Sequence, residues 1–110
     1  MTISLPLTGR PKQVIFKLKK FIEEIDDDDD VDTYYLGRTN DPEARQSEHG
    51  ANELVELYQT DSVDNAIEVE EAIIQIFIGH DKCDNEADHG GGGVSDDPPQ
   101  FVYVALWFAE

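Results

Sequence analysis

A chain of 110 residues can build one modest core and leaves no room for two. Its 25 acidic against 8 basic residues give a formal charge of −17, which opposes general adhesion to nucleic acid or acidic membranes. No segment reaches the roughly 18 to 20 continuous apolar residues of a bilayer span. MTISLPLTGRPKQ lacks the apolar run of a secretory signal, and one cysteine, Cys83, cannot close an internal disulfide, so the expected setting is cytoplasmic: intracellular and soluble.

Residues 11–25, PKQVIFKLKKFIEEI, put Val14, Ile15, Leu18, Phe21, Ile22 and Ile25 on one helical stripe. Lysines fall between them, and Pro11 suits a first turn, so the spacing predicts an amphipathic helix with a basic outer face. The acidic run 26–30, DDDDD, repels itself and reads as an exposed loop without the spaced ligands of a Ca2+ site. VDTYYLG, residues 31–37, is rich in β-formers and predicts a strand. Asp41, Pro42 and Glu43 then combine a cap, a first-turn proline and an acid favoured by the helix dipole. A short helix follows to about His49, stopped by Gly50.

NELVELYQT, residues 52–60, fits helix or strand by period, and we take it as strand. Residues 62–79, SVDNAIEVEEAIIQIFIG, form the clearest helix, capped by Ser62 or Asp61 and ended by Gly79. The Gly-rich segment 80–99 reads as loop. FVYVALWF, residues 101–108, is apolar throughout and predicts a strand covered on both faces, hence central in a sheet. The order is α-β-α-β-α-β in a single domain, 1–110, without repeats.

Two positions stand out chemically. Glu70 falls within the apolar stripe of Val63, Ala66, Ile67, Ile73, Ile74 and Phe77, whereas Asp64, Glu68, Glu71 and Gln75 share the opposite face. A carboxylate so placed must be paired, hold a metal or line a cleft, unless it sits at the stripe's edge and reaches water. Arg45 and His49 stand at i and i+4 on one face of the short helix, just behind Tyr35. An anion site at that helix start and an ordinary surface pairing of Arg45 with Glu48 are both open. His80, Cys83 and His89, with Asp81, Asp84 or Asp88, could supply zinc ligands, though at the spacing of no common finger. The run Gly90–Gly93 lacks the Lys-Ser/Thr of a phosphate loop and reads as flexible linker, and no G-x-S-x-G occurs.

YLGRTNDPEARQSEH resembles the second half of the GIY-YIG nuclease motif: a Tyr-aliphatic-Gly strand end, a polar turn, and an arginine ten residues after the tyrosine. Tyr35, Leu36, Gly37 and Arg45 match it, and His49 falls where many members carry a histidine. ELVELYQTDSVDNAIEVEEAIIQIF is similar to the family's next strand and its A-L-x-x-E helix, with Ala66, Ile67 and Glu70 in those places. The resemblance covers roughly residues 33–78. It departs where the family has its opening strand, since FIEEIDDDDD offers no tyrosine and no strand there. QFVYVAL near the end of the chain looks like that missing strand, so a permuted fold is expected, with the last strand paired to residues 32–37 and Tyr103 as first motif tyrosine. A degenerate relative that has lost the strand and its activity is the alternative.

The expected fold class is therefore α+β, a small three-stranded antiparallel sheet flanked by helices. The resemblance implies a DNA endonuclease in which Glu70 holds one divalent cation, Mg2+ or Mn2+, and Arg45 neutralises charge on the phosphate. Tyr103 or Tyr35 would orient or deprotonate the attacking water, His49 would assist or shuttle the proton, and Gly37 and Arg38 would meet the substrate. The acidity leaves three readings open: a high-salt cytoplasm, a protein partner that delivers DNA, or an inactive acidic binding module that imitates nucleic acid.

Overall fold

The computed structural model describes residues 4–86 and 95–110. Helix α1 (Pro11–Asp26) starts with proline in its first turn, as its fixed φ favours. Val14, Leu18 and Ile22 are buried, with Ile15, Phe21 and Ile25 packed at the margin of the core. This stripe faces α3 (Val63–Phe77), so α1 forms a layer over that helix instead of lying directly on the sheet.

Strand β1 spans Val31–Thr39, two residues longer than the sequence suggests. Helix α2 (Pro42–His49) is capped by Asp41, whose carboxylate accepts from the Ala44 N–H at 3.2 Å, and ends at Gly50 with φ 65°. That left-handed conformation suits glycine, which has no side chain to clash. Strand β2 (Glu53–Thr60) settles the ambiguous segment as extended chain. In α3, Ser62 provides the cap by accepting from Asn65 N–H at 3.1 Å. The buried stripe is Ala66, Val69, Glu70, Ile73, Ile74 and Phe77; Val69 takes an inward place that the sequence reading assigns to Val63 and Ile67, both only half-buried.

Strand β3 (Gln100–Phe108) lies between the other two, in the order β1-β3-β2, antiparallel to both. Val102 through Leu106 are all buried, the result expected of an apolar central strand. The protein is thus an α+β fold built on a three-stranded antiparallel sheet. Val102, Val104 and Leu106 join the core with Tyr34 and Leu36, while the alternate residues Tyr103, Ala105 and Trp107 face the other way, towards α2. An irregularity between Glu56 and Tyr58 lets the consecutive Leu57 and Tyr58 both turn inward. No helix among the described residues is long and apolar enough to cross a membrane.

Both outer strands are covered along their free edges, which removes ready templates for aggregation. On β2, Leu7 exchanges backbone hydrogen bonds with Leu57 and Gln59 at 2.8 and 2.9 Å. On β1, the segment following α3 does the same work, so residues 82–85 are not simply loop. Tyr34 N–H donates to Lys82 O and Asp84 N–H to Tyr34 O. Next along, the Asn85 side chain imitates a peptide: its Oδ1 accepts from Leu36 N–H at 2.9 Å and its Nδ2 donates to Leu36 O at 2.8 Å. Asp26 ties α1 to the same region, accepting from the Tyr34 hydroxyl at 2.8 Å and lying 3.2 Å from His80 Nδ1. Burial and this bond to Asp26 hold the Tyr34 phenol well above its ordinary pKa.

Replacing Asn85 by Ala strands the amide and carbonyl of Leu36 in a buried setting. Stability falls by about 2–4 kcal/mol in urea unfolding, and the Leu36 amide loses its protection from hydrogen exchange more than its neighbours do.

Candidate functional site

The register of β1 against β3 assembles the centre. Tyr35 pairs with Ala105 and Gly37 with Tyr103, so each large ring lies across from a small residue. The approach at Gly37 is close: a β-carbon there would stand 2.6 Å from the Tyr103 oxygen and 2.7 Å from its Cζ. Glycine is therefore required by the tyrosine lying over it, not by its own backbone angles.

Helix α2 brings His49 onto these rings. Its Nε2 is 2.9 Å from the Tyr103 hydroxyl, and its ring centroid lies 4.9 Å from that of Tyr35. Trp107 meets it edge-on at 6.2 Å, completing an aromatic enclosure of three side chains around one imidazole. Burial lowers the His49 pKa from its ordinary 6.5, Arg45 lowers it further, and Glu48 partly offsets both. The imidazole is consequently neutral at pH 7, able to share a proton with Tyr103 in either direction according to its tautomer.

Tyr103 is 2% exposed. Its pKa is raised above the ordinary 10, first by burial and then by Tyr35, Glu70 and Glu48, with Arg45 acting the other way. Four of the sequence-predicted residues thus act electrostatically on, or hydrogen-bond to, this one hydroxyl: Tyr35, Arg45, His49 and Glu70. The raised value disfavours Tyr103 as a proton acceptor and suits a neutral hydroxyl that orients a neighbour.

Glu70 is 6% exposed in the middle of α3, so it lies inside the stripe and not at a wet edge. Arg45 binds Glu48 at 3.0 Å, the surface pairing left open by the sequence. Such an exposed i,i+3 pair contributes only about 0.3–0.5 kcal/mol, so an incoming anion displaces it at little cost. Arg38 stands apart from the tyrosine face. It donates to Gln100 Oε1 at 2.7 Å and lies 3.6 Å from Asp96, with its side chain 12% exposed. Its buried Nε has no hydrogen-bond partner among the described residues.

The zinc reading divides. His89 and Asp88, like Gly90–Gly93, fall outside the described residues; His80 engages Asp26, and Cys83 lies 3.5 Å from Asn85 Oδ1. Burial raises the Cys83 pKa, which keeps the thiol protonated. No group of three or more potential metal ligands occurs among the described residues.

Trp107, Ala105 and Asn85 were not singled out from the sequence. The first two carry a signal all the same: 103, 105 and 107 share one face of a strand by their period of two. Comparison with protein-family models, with curated proteins and with solved structures returns no match to this chain. The resemblance to GIY-YIG nucleases therefore stands on the quoted residues alone.

Two measurements probe the site. An NMR titration of His49 gives a pKa below 6.5, which Glu48→Gln lowers further and Arg45→Gln raises. Since the unfolded chain takes the proton first, this contribution to stability is full above pH 6.5 and is lost as pH falls from 6.5 through the folded value. Gly37→Ala forces the Tyr103 ring aside, costs about 1–3 kcal/mol in denaturant unfolding, and is not rescued by Tyr103→Phe, because Cζ remains in the way.

Proposed function

We propose that the protein is a metal-dependent endonuclease hydrolysing phosphodiester bonds in DNA. The observation that carries this reading is the bond between His49 and the Tyr103 hydroxyl at 2.9 Å, with Tyr35 packed on the imidazole and Arg45 and Glu70 close enough to act electrostatically on Tyr103. Residues drawn from one motif pattern have little structural reason to gather around one buried tyrosine. A core built only for stability has no need of a histidine and a tyrosine bonded to each other inside it.

Glu70 offers one carboxylate. That donor set fits Mg2+ or Mn2+, ions commonly held by one or two carboxylates with waters and substrate phosphates filling the remaining positions. Bound there, the cation supplies Lewis-acid stabilisation of the leaving oxygen. Arg45 exchanges Glu48 for a phosphoryl oxygen and neutralises charge as it develops. His49, neutral at working pH, accepts the proton of the attacking water, and Tyr103 holds the imidazole in position through the 2.9 Å contact. Tyr35 packs on the imidazole and keeps it from turning.

A second reading is favoured by a specific observation: Tyr103 and Glu70 are nearly inaccessible, and the chain carries −17. On that reading the same fold is an inactive acidic module that binds a basic protein, and the aromatic cluster serves packing.

Supercoiled plasmid and branched DNA, incubated with Mg2+ or Mn2+ from low to molar salt, separate the two. Nicking by the wild type that falls at least about a hundredfold in both Glu70→Gln and Arg45→Ala supports the nuclease. Its pH profile rises with an apparent pKa below 6.5, the signature of neutral His49 as acceptor. No cleavage at any salt by folded protein transfers the assignment to the binding module.

A further inference from the structure

The first 22 residues contain five of the eight basic residues and none of the 25 acidic ones. Arg38, Arg45 and Lys82 are the only basic residues in all that follows. On α1 this local excess is also sorted by side. Lys12, Gln13, Phe16, Lys17, Lys19 and Lys20 are all exposed, while Val14, Leu18 and Ile22 are buried beneath them. Phe16 is 63% exposed, the most exposed large apolar side chain described, and Lys20 sits over its ring at 4.8 Å.

Packing gives no reason for an aromatic ring in water among lysines, since its helix has another face in the core. The face is also graded along its length: the basic turns at 12–20 give way to Glu23, Glu24 and the aspartates 26–30. An anionic chain laid on α1 is attracted at one end and repelled at the other, which fixes where it can lie. A membrane is a poor occupant. The helix's apolar stripe is already spent on the core, leaving one phenylalanine to insert. Phosphate contacts alone, as on a duplex, need no aromatic ring; a single strand uses cations for phosphates and an aromatic surface for an unstacked base.

We infer that the exposed face of α1 docks single-stranded nucleic acid, with Lys12, Lys19 and Lys20 meeting phosphates and a base stacked on Phe16. The inference rests on the nuclease reading for its biological sense, and it names the part of a branched or flapped substrate that the protein holds. Electrostatically, the patch also answers the charge problem: attraction is concentrated on one face of a molecule that repels polyanions everywhere else.

The test is binding, without divalent cation, of a fluorescent oligonucleotide of roughly 12 nucleotides, within a usual single-strand footprint. It is measured by anisotropy from low to molar salt, beside a duplex of equal length. Wild type binds the single strand at low salt. The folded variant Lys12→Gln/Lys19→Gln/Lys20→Gln binds at least about tenfold more weakly, and its salt slope is shallower by about 2. Phe16→Ala loses at least about fivefold on the single strand and nothing on the duplex.

Absent single-strand binding, or binding indifferent to both variants, overturns the inference. So does low-salt self-association, seen by sedimentation velocity and abolished by the lysine substitutions, which gives the face to the acidic surface of a second copy. In the cleavage assay the lysine variant raises KM and leaves kcat unchanged. If wild type cleaves nothing, the nuclease reading fails while the anisotropy result still decides the docking surface.

Discussion

The insertion of β3 between β1 and β2 is the constraint on which the rest depends. The outer strands have no contact of their own with each other in the sheet order, so β3 supplies every ladder hydrogen bond that either makes within the sheet. The same strand feeds two layers. Val102, Val104 and Leu106 fill the core beneath α3, and Tyr103, Ala105 and Trp107 build the aromatic face under α2. A register slip of one residue exchanges these sets, burying Tyr103 in the aliphatic core and turning the valines outward. The Gly37–Tyr103 and Tyr35–Ala105 pairs oppose such a slip sterically, because only the observed register puts a small residue opposite each ring.

The site that results is buried at its centre, where His49 and Tyr103 are both held uncharged. His49 is held uncharged by burial and by Arg45, Tyr103 is held protonated by burial, and Glu70 lies under the surface. An ion pair lies at the rim, between Arg45 and Glu48, where exchange is cheap. Low dielectric inside and exchangeable ions at the mouth are what a centre acting on a phosphate needs, and also what a quiet aromatic core produces. The difference lies in whether the centre opens to a substrate.

Most of the fold was legible because local signals agreed with one another. Asp41-Pro42-Glu43 and Gly50 bounded α2, the unbroken apolar run 101–108 marked a central strand, and the cap before Val63 marked α3. Glu70 stood out because a carboxylate on an apolar stripe contradicts its neighbours, and its burial bears that out. The enclosure of His49 by Trp107 was less accessible, since it depends on cross-strand register and on where α2 settles, both tertiary facts. Asn85 was beyond reach for a similar reason: its amide completes a ladder 49 residues away, which no local pattern encodes. The inward turn at Leu57 and Tyr58 was hidden because an irregular strand breaks the alternation from which strands are read.

The position of β3 in the chain also sets a timetable. Synthesis releases β1 and then β2 before the strand that must lie between them, so each waits with its inner hydrogen-bonding edge unmet. The outer edges are better served, because the segments that cover them, around Leu7 for β2 and at residues 82–85 for β1, also precede β3. All sheet pairing spans long stretches of sequence, with Thr33 opposite Trp107 and Glu53 opposite Leu106, and such closure is slow because its entropy must be spent before any ladder forms. For that interval the acidic residues 23–32 and the other carboxylates keep neighbouring nascent chains apart by charge alone. The acidity thus guards the unfinished protein as much as it clothes the finished one.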